Sequence, residues 1–209
     1  MNKEYIEKIK EKATTGLFTD YFDSINENYT FVGGLKINNT TGFIFGPVKT
    51  IKCESGPYKD ENINLGLGYL DVCNEGDVLV VEGSKDFAYF GELMSRLSEK
   101  RKLNGAIILG ATRDVRFTSN HINVAAESYM PVDIKGRGRV SKVGCKIKYD
   151  IDENMYVAAD ADGAIFFSKN LLERHINIFV SMIDHEEMLV EKINQGLSVS
   201  EILNFTEGF

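Results

Sequence analysis

Apolar and polar positions follow two rhythms along the chain. Over residues 3–12, Tyr5, Ile6 and Ile9 recur at helical spacing among charges, and TTGLFTDYFDS sets Leu17, Phe18, Tyr21 and Phe22 on one side. Two short amphipathic helices are expected there, packed on something larger. FIFGPVKTIKC reads as a strand or a bent pair, ENINLGLGYLDVC as a weak, glycine-loosened helix, and GDVLVVEG as a short buried strand bounded by glycines. DFAYFGELMSRLSEKRK places Phe87, Phe90, Leu93, Met94 and Leu97 at helical spacing with charges opposite. NGAIILG is a second buried strand. Strand, helix, strand over 77–109 makes a βαβ unit, whose strands should be parallel neighbours joined by a right-handed crossover.

Beyond Asp114 the rhythm becomes that of strands. MPVDIKGRG, SKVGCKIKYDI, NMYVAADADG and GAIFFSK are strand-like runs separated by Gly, Asp and Asn, and ADADG is a strong tight-turn signal. From Lys169 to about Gln195 the period is helical again, with Leu172, Ile176, Phe179, Ile183, Leu189 and Ile193 apolar; Ser198 and Glu201 then suggest a capping box. No internal repeat or low-complexity segment interrupts the chain.

Composition narrows the classes. At 209 residues, 43% apolar and 26% charged, the chain can bury one substantial core, and a single domain over 1–209 is the economical count. A net charge of -7 disfavours nucleic acid as a general partner. Cys53, Cys73 and Cys145 form no CxxC pair and are odd in number, so buried thiols in a reducing compartment are expected. The mixed-charge start lacks the apolar region of a signal peptide, and no apolar run approaches the ~18 residues of a membrane span. The expectation is a cytoplasmic protein without membrane contact.

Candidate chemistry centres on ILGATRD, where a strand that reads as buried on both faces delivers Arg113 and Asp114 at its exit. Successive side chains of an extended strand point to opposite faces, so both can serve one site only if the chain turns there; Gly110, Ala111 and Thr112 are small enough to allow it. Ligands of open α/β sheets bind beyond the carboxyl ends of strands. The plainer alternative is a surface ion pair, or Asp114 capping VRFTSN. Glu92 adds a second acidic group, with twenty residues between it and Arg113.

That spacing, together with EGDVLVVEG, GELM, NGAIILGATRDV and VAADADGAIFFSK in this order, resembles the regulator of ribonuclease activity A-like (RraA-like) family. This family includes metal-dependent 4-hydroxy-4-methyl-2-oxoglutarate aldolases and is marked by an acidic residue, twenty residues, then Arg-Asp. The resemblance implies an α/β fold of the swivelling β/β/α type, with sandwich- or barrel-like sheets flanked by helices. The core would span about 15–169, with an N-terminal helix in 1–14 and a helical extension over 170–209. It implies homotrimers or hexamers with sites between subunits. Asp114 would bind Mg²⁺ or Mn²⁺, and Arg113 would face the carbonyl and carboxylate of a small 2-oxo acid substrate. Gly91, Glu92, Leu93 and Met94 would form a loop and helix start that holds a carboxylate, in place of an uninterrupted helix from Phe87. Glu92 would position water or relay a proton, and Glu187 or Glu191, spaced i and i+4, would complete a neighbouring subunit's site.

The implied reaction is aldol cleavage of 4-hydroxy-2-oxo acids or decarboxylation of oxaloacetate. The alternative is a non-catalytic regulator that binds a ribonuclease or another protein, for which Asp114 would be dispensable. Three departures from the family pattern bear on the substrate: Glu82-Gly83-Ser84-Lys85-Asp86 replaces Asp-Gly-Gly, Glu92 is one methylene longer than Asp, and Phe117 stands where an acidic residue often follows. Other motifs offer less. His121, His175 and His185 are scattered, KGRGRVSK reads as a solvated hairpin or an anion contact, and GLGYLD is not a dinucleotide fingerprint.

Overall fold

The computed structural model describes residues 2–206; Met1 and the last three positions of the expected C-terminal extension lie outside the described residues. The helices are α1 (Lys3–Lys12), α2 (Thr15–Ser24), α3 (Ile63–Tyr69), α4 (Glu92–Lys100), α5 (Val115–Thr118), α6 (Lys169–Asn194) and α7 (Val199–Leu203). The strands are β1 (Thr30–Val32), β2 (Lys36–Ile37), β3 (Ile44–Ser55), β4 (Val78–Glu82), β5 (Ala88–Phe90), β6 (Gly105–Thr112), β7 (Val124–Tyr129), β8 (Gly138–Val143), β9 (Met155–Asp160) and β10 (Gly163–Ser168). They form a mixed α/β architecture, ten strands flanked by helices, in the order β1-β10-β9-β3-β4-β6-β7-β2, with β5 on β6 and β8 on β3.

FIFGPVKTIKC is part of one long strand rather than a bent pair. The first residues of β3 pair antiparallel with β9, and Val48–Lys52 pair parallel with β4, so β3 belongs to two sheet halves. On one side Phe18 and Phe22 of α2 and Phe179 of α6 pack on Phe45 and Phe167. Val48, Val80, Ile107, Val157 and Phe166 fill a middle core, and Leu79, Val81, Ile108, Met94 and Phe90 fill the far one. The expected βαβ unit is present: β4 and β6 are parallel neighbours, Val78 opposite Gly105, and β6 is parallel to β7. All eight residues of β6 are buried, which is why the strand reads as a continuous apolar run.

Several boundaries differ from the sequence reading. The helical spacing that began at Phe87 gives way to β5, because Ala88 pairs with Ala111 of β6; the helix starts only at Glu92, and Leu93 is 62% exposed instead of packed. MPVDIKGRG is a turn, not a strand: Pro131 brings no N–H, Gly136 has φ 71°, and Arg137 and Gly138 N–H groups both donate to the Ile134 carbonyl. β8 therefore lies earlier than SKVGCKIKYDI suggested and stops before Gly144 (φ 61°). The sequence reading also passed over β1, β2 and β7. The ADADG turn does join β9 to β10, and Ser198 and Glu201 form the capping box of α7. Burial pushes the Cys53 thiol up to about 12 and Cys73 to about 11, so both are unreactive in the fold. No described helix is long and apolar enough to cross a membrane.

Candidate active site

The exit of β6 is built by three local devices. The pairing register with β7 shifts between Ile108 and Ala111, a bulge that re-aims the strand. At Gly110 any Cβ would stand 2.7 Å from the backbone N and O of Ser84, so only glycine allows the loop after β4 to close over it. Asp114 then takes a left-handed conformation, φ 57° and ψ 32°, which Asp tolerates better than most residues. That turn lets Arg113 and Asp114 serve the same cleft. Phe90 of β5 secures it: its carbonyl accepts the Arg113 N–H and the Thr112 hydroxyl, each at 3.0 Å.

The cleft encloses about 180 Å³ and is lined by Gly91, Glu92, Leu93, Met94, Arg113 and Asp114 together with Asp133, Lys135 and an apolar wall of Ile63, Leu67, Tyr89 and Ile134. Gly91 is the N-cap of α4 and has no side chain to satisfy the helix start. The Leu93 and Met94 N–H groups fall among the first-turn donors that have no partner within their helix. They present partial positive charge to the cleft. The Glu92 N–H instead donates to Asp114 Oδ2 at 3.2 Å, while its carboxylate is drawn to Arg96, Nε to Oε1 2.8 Å. Glu92 thus contributes its backbone to the centre and its charge to the rim.

Arg113 lies between two carboxylates. Its Nη1 donates to Asp133 Oδ2 at 2.5 Å, and Nε is 3.4 Å from Asp114 Oδ2. Asp133 Oδ1 accepts the Lys135 N–H at 3.0 Å. Burial raises the Asp133 carboxyl, but the Lys135 N–H and the Arg113 guanidinium outweigh it and hold the group below the ordinary carboxylate range. Sequence reasoning missed Asp133, which sits inside a strand-like run with no spacing to mark it.

Glu187 and Glu191 are not brought to this cleft within the chain. They line a different hollow with Lys12 and Ile183, and Glu187 is paired with Lys12 at 2.8 Å and with Lys8 at 3.9 Å. Nor do the histidines line this cleft: His121 contacts Glu99, His175 contacts the Tyr21 hydroxyl, and His185 lines a separate hollow with Met182 and Glu186. In KGRGRVSK, Arg139 pairs with Glu54 and lies over the Tyr58 ring.

Of the three carboxylates at the cleft, Glu92 is paired with Arg96 and both Asp133 oxygens are engaged, so Asp114 is the one a metal would take. Among the described residues no group of three or more His, Cys, Asp or Glu side chains is placed to hold an ion, which rules out a closed protein cage within the chain. Asp114 is 41% exposed at its side chain, so water reaches its carboxyl group. That suits a hard divalent ion that keeps most of its waters, as Mg²⁺ does when held by one or two carboxylates.

Comparison with known proteins bears on these features. Residues 15–166 match the model of the family described as RraA-like, Aldolase/RraA. A Bacillus anthracis relative named "Putative 4-hydroxy-4-methyl-2-oxoglutarate aldolase" is 34% identical over 133 residues, covering 60% of this chain and 79% of the relative. An uncharacterized Pseudomonas syringae pv. tomato protein superposes with a TM-score of 0.79 at 16% identity, covering 97% of this chain and 98% of the other. Streptomyces coelicolor RraAS2, described as an unusual member of the RNase ES inhibitor RraA family, gives 0.73 at 15% identity, with 93% and 97% covered. The two structures establish the fold and carry no activity across.

Proposed function

The chain belongs to the RraA-like family, and from that premise we propose that it is a divalent-metal-dependent lyase that releases pyruvate from small 2-oxo acids. The reading covers cleavage of 4-hydroxy-2-oxo acids and decarboxylation of oxaloacetate. The observation that carries it is the convergence of Arg113 and Asp114 in one cleft with the start of α4.

Cleaving the bond beta to a keto group leaves pyruvate enolate, and the barrier is dominated by negative charge growing on the former keto oxygen. Asp114 would hold Mg²⁺ or Mn²⁺, which when bound supplies Lewis-acid polarisation of the substrate oxygens. Arg113 would place a fixed positive charge at the keto oxygen, a contribution typically worth about 3 kcal/mol for one well-placed donor. The Leu93 and Met94 N–H groups would receive the substrate carboxylate, fixing which end of the molecule lies next to Arg113. The Ile63, Leu67 and Ile134 wall would shield the carbon end of a bound substrate from water. Aldol cleavage needs a base for the hydroxyl, and the Glu92 carboxylate must leave Arg96 to act as one. Decarboxylation needs no such base and is the less demanding activity.

In this proposal the protein assembles as a homotrimer or hexamer, and a C-terminal glutamate from a neighbouring copy completes the site. Glu187 is held by Lys12 and Lys8 of its own chain, whereas Glu191 makes no ion pair among the described residues, so Glu191 is the better donor. The test is pyruvate release over a panel of 4-hydroxy-2-oxo acids and oxaloacetate, with Mg²⁺, with Mn²⁺ and with chelator. Turnover that exceeds the free ion and stops on chelation supports the reading. Rates equal to the free ion across the panel defeat it and leave the regulator function, for which Asp114 is dispensable.

A further inference from the structure

Arg113 has a competitor for its natural neighbour. A guanidinium one residue away from an opposite charge tends to collapse onto it, and Arg113 Nε already stands 3.4 Å from Asp114 Oδ2. A carboxylate neutralised in that way is a poor ligand for a cation, and a guanidinium spent on it is a poor partner for a substrate. Asp133 competes for it from the other side: Arg113 Nη1 donates to Asp133 Oδ2, whereas the approach of Nε to Asp114 makes an ion pair without a hydrogen bond.

The pull is anchored. Both Asp133 oxygens are engaged, Oδ2 by Arg113 and Oδ1 by the Lys135 N–H. Its backbone is tied to β5 by a parallel bridge with Ala88, whose N–H donates to the Val132 carbonyl at 2.8 Å. The same β5 ends at Phe90, whose carbonyl holds the Arg113 N–H. One short strand thus fixes both ends of the Arg113–Asp133 pair. Arg113 Nη2 makes no hydrogen bond to a described residue.

We propose that Asp133 is a positioning residue: it fixes the Arg113 guanidinium through Nη1 and so aims its remaining N–H groups at the bound 2-oxo acid. The role in turnover rests on the lyase reading above, whereas the restraint on Arg113 does not.

The test is a double-mutant cycle with a second, activity-free readout, in the full chain. Asp133→Asn, Arg113→Ala and the double variant are compared for kcat in pyruvate release from oxaloacetate with Mg²⁺. Asp133→Asn alone should lower kcat by about 10- to 100-fold, the range typical of residues that orient a ligand-binding group. In the Arg113→Ala background the same change should cost no more than about 2-fold, because there is no guanidinium left to aim. A merely structural aspartate would cost the same in both backgrounds, and that result overturns the proposal. In protein labelled with ¹⁵N-arginine, the Arg113 Nη signals should show hindered rotation that Asp133→Asn abolishes, at unchanged melting temperature. Unchanged Arg113 signals in that variant also overturn it. If the parent releases no pyruvate, the lyase reading fails by itself, and the arginine spectra still decide whether Asp133 restrains Arg113.

Discussion

Gly91 and Asp114 touch across 23 residues of sequence: a Cβ built on Gly91 would lie 2.7 Å from Asp114 Oδ2 and 2.9 Å from Arg113 Cγ. Gly91 has an extended backbone, φ -156°, that alanine also adopts, so Gly91→Ala should fold normally and push the two site side chains aside. Displacements of about 1 Å at a reacting centre can cost 10²-fold, so we expect a loss of roughly that size in kcat/KM. Steady-state kinetics beside a thermal melt would show it; a variant as active as the parent would mean that Arg113 and Asp114 need not sit where they do.

Asp114→Asn keeps the size of the side chain and the acceptor for the Glu92 N–H, and removes the charge a hard cation requires. Metal-dependent turnover should vanish while the circular dichroism and melting temperature stay near the parent's. Arg113→Lys should lower kcat about 10²- to 10³-fold and leave a measurable residual rate, since a point charge on a flexible stem cannot span Asp133 and a substrate at once. Calorimetric titration with Mn²⁺ separates the two: the first variant loses the ion and the second retains it.

Phe18 is fully buried, with its ring 4.6 Å from that of Phe179, 5.4 Å from Phe167 and 5.7 Å from Phe45. It joins α2 and α6 to the sheet. Phe18→Ala should cost about 3–5 kcal/mol of folding stability, read as a lower urea midpoint at unchanged slope.

Asp77 is buried at the turn before β4. Burial raises its carboxyl above the ordinary 3.8, opposed by the Asn74 N–H that donates to it at 2.8 Å. A folded value above the unfolded one means that the folded state binds the proton more tightly. This contribution to stability therefore falls as pH rises from 3.8 through the raised value. Asp77→Asn should remove it. The difference in unfolding free energy between about pH 4 and pH 6 should shift toward greater stability at the higher pH in the variant. An identical difference in both proteins would show that Asp77 titrates normally.

The parts of the fold that were legible in the sequence are those whose environment repeats along the chain. GDVLVV and NGAIILG show their parallel strands because burial on both faces leaves nothing polar in the run. Arg113, Asp114 and the start of α4 were legible through a spacing that links two ends of one βαβ unit. β5 was hidden because Phe87, Phe90 and Leu97 fit a helical period, while the pairing of Ala88 with Ala111, which no local pattern reports, decided the matter. Asp133 was hidden for a related reason. Its partner lies 20 residues earlier, and the contact exists only once MPVDIKGRG turns back beside β5. Glu92 shows the opposite case: spacing marked the residue and the fold brings it to the cleft, while no spacing reports that its carboxylate pairs with Arg96 one helical turn away.

β3 ties the fate of the candidate site to that of the aromatic cluster on the other side of the molecule. Because its Ile44–Pro47 stretch is paired with β9 and the adjoining Val48–Lys52 with β4, neither half can lose its backbone ladder without fraying the other. The amides of β9 and β4 should accordingly exchange with solvent at one common opening free energy, through one shared opening.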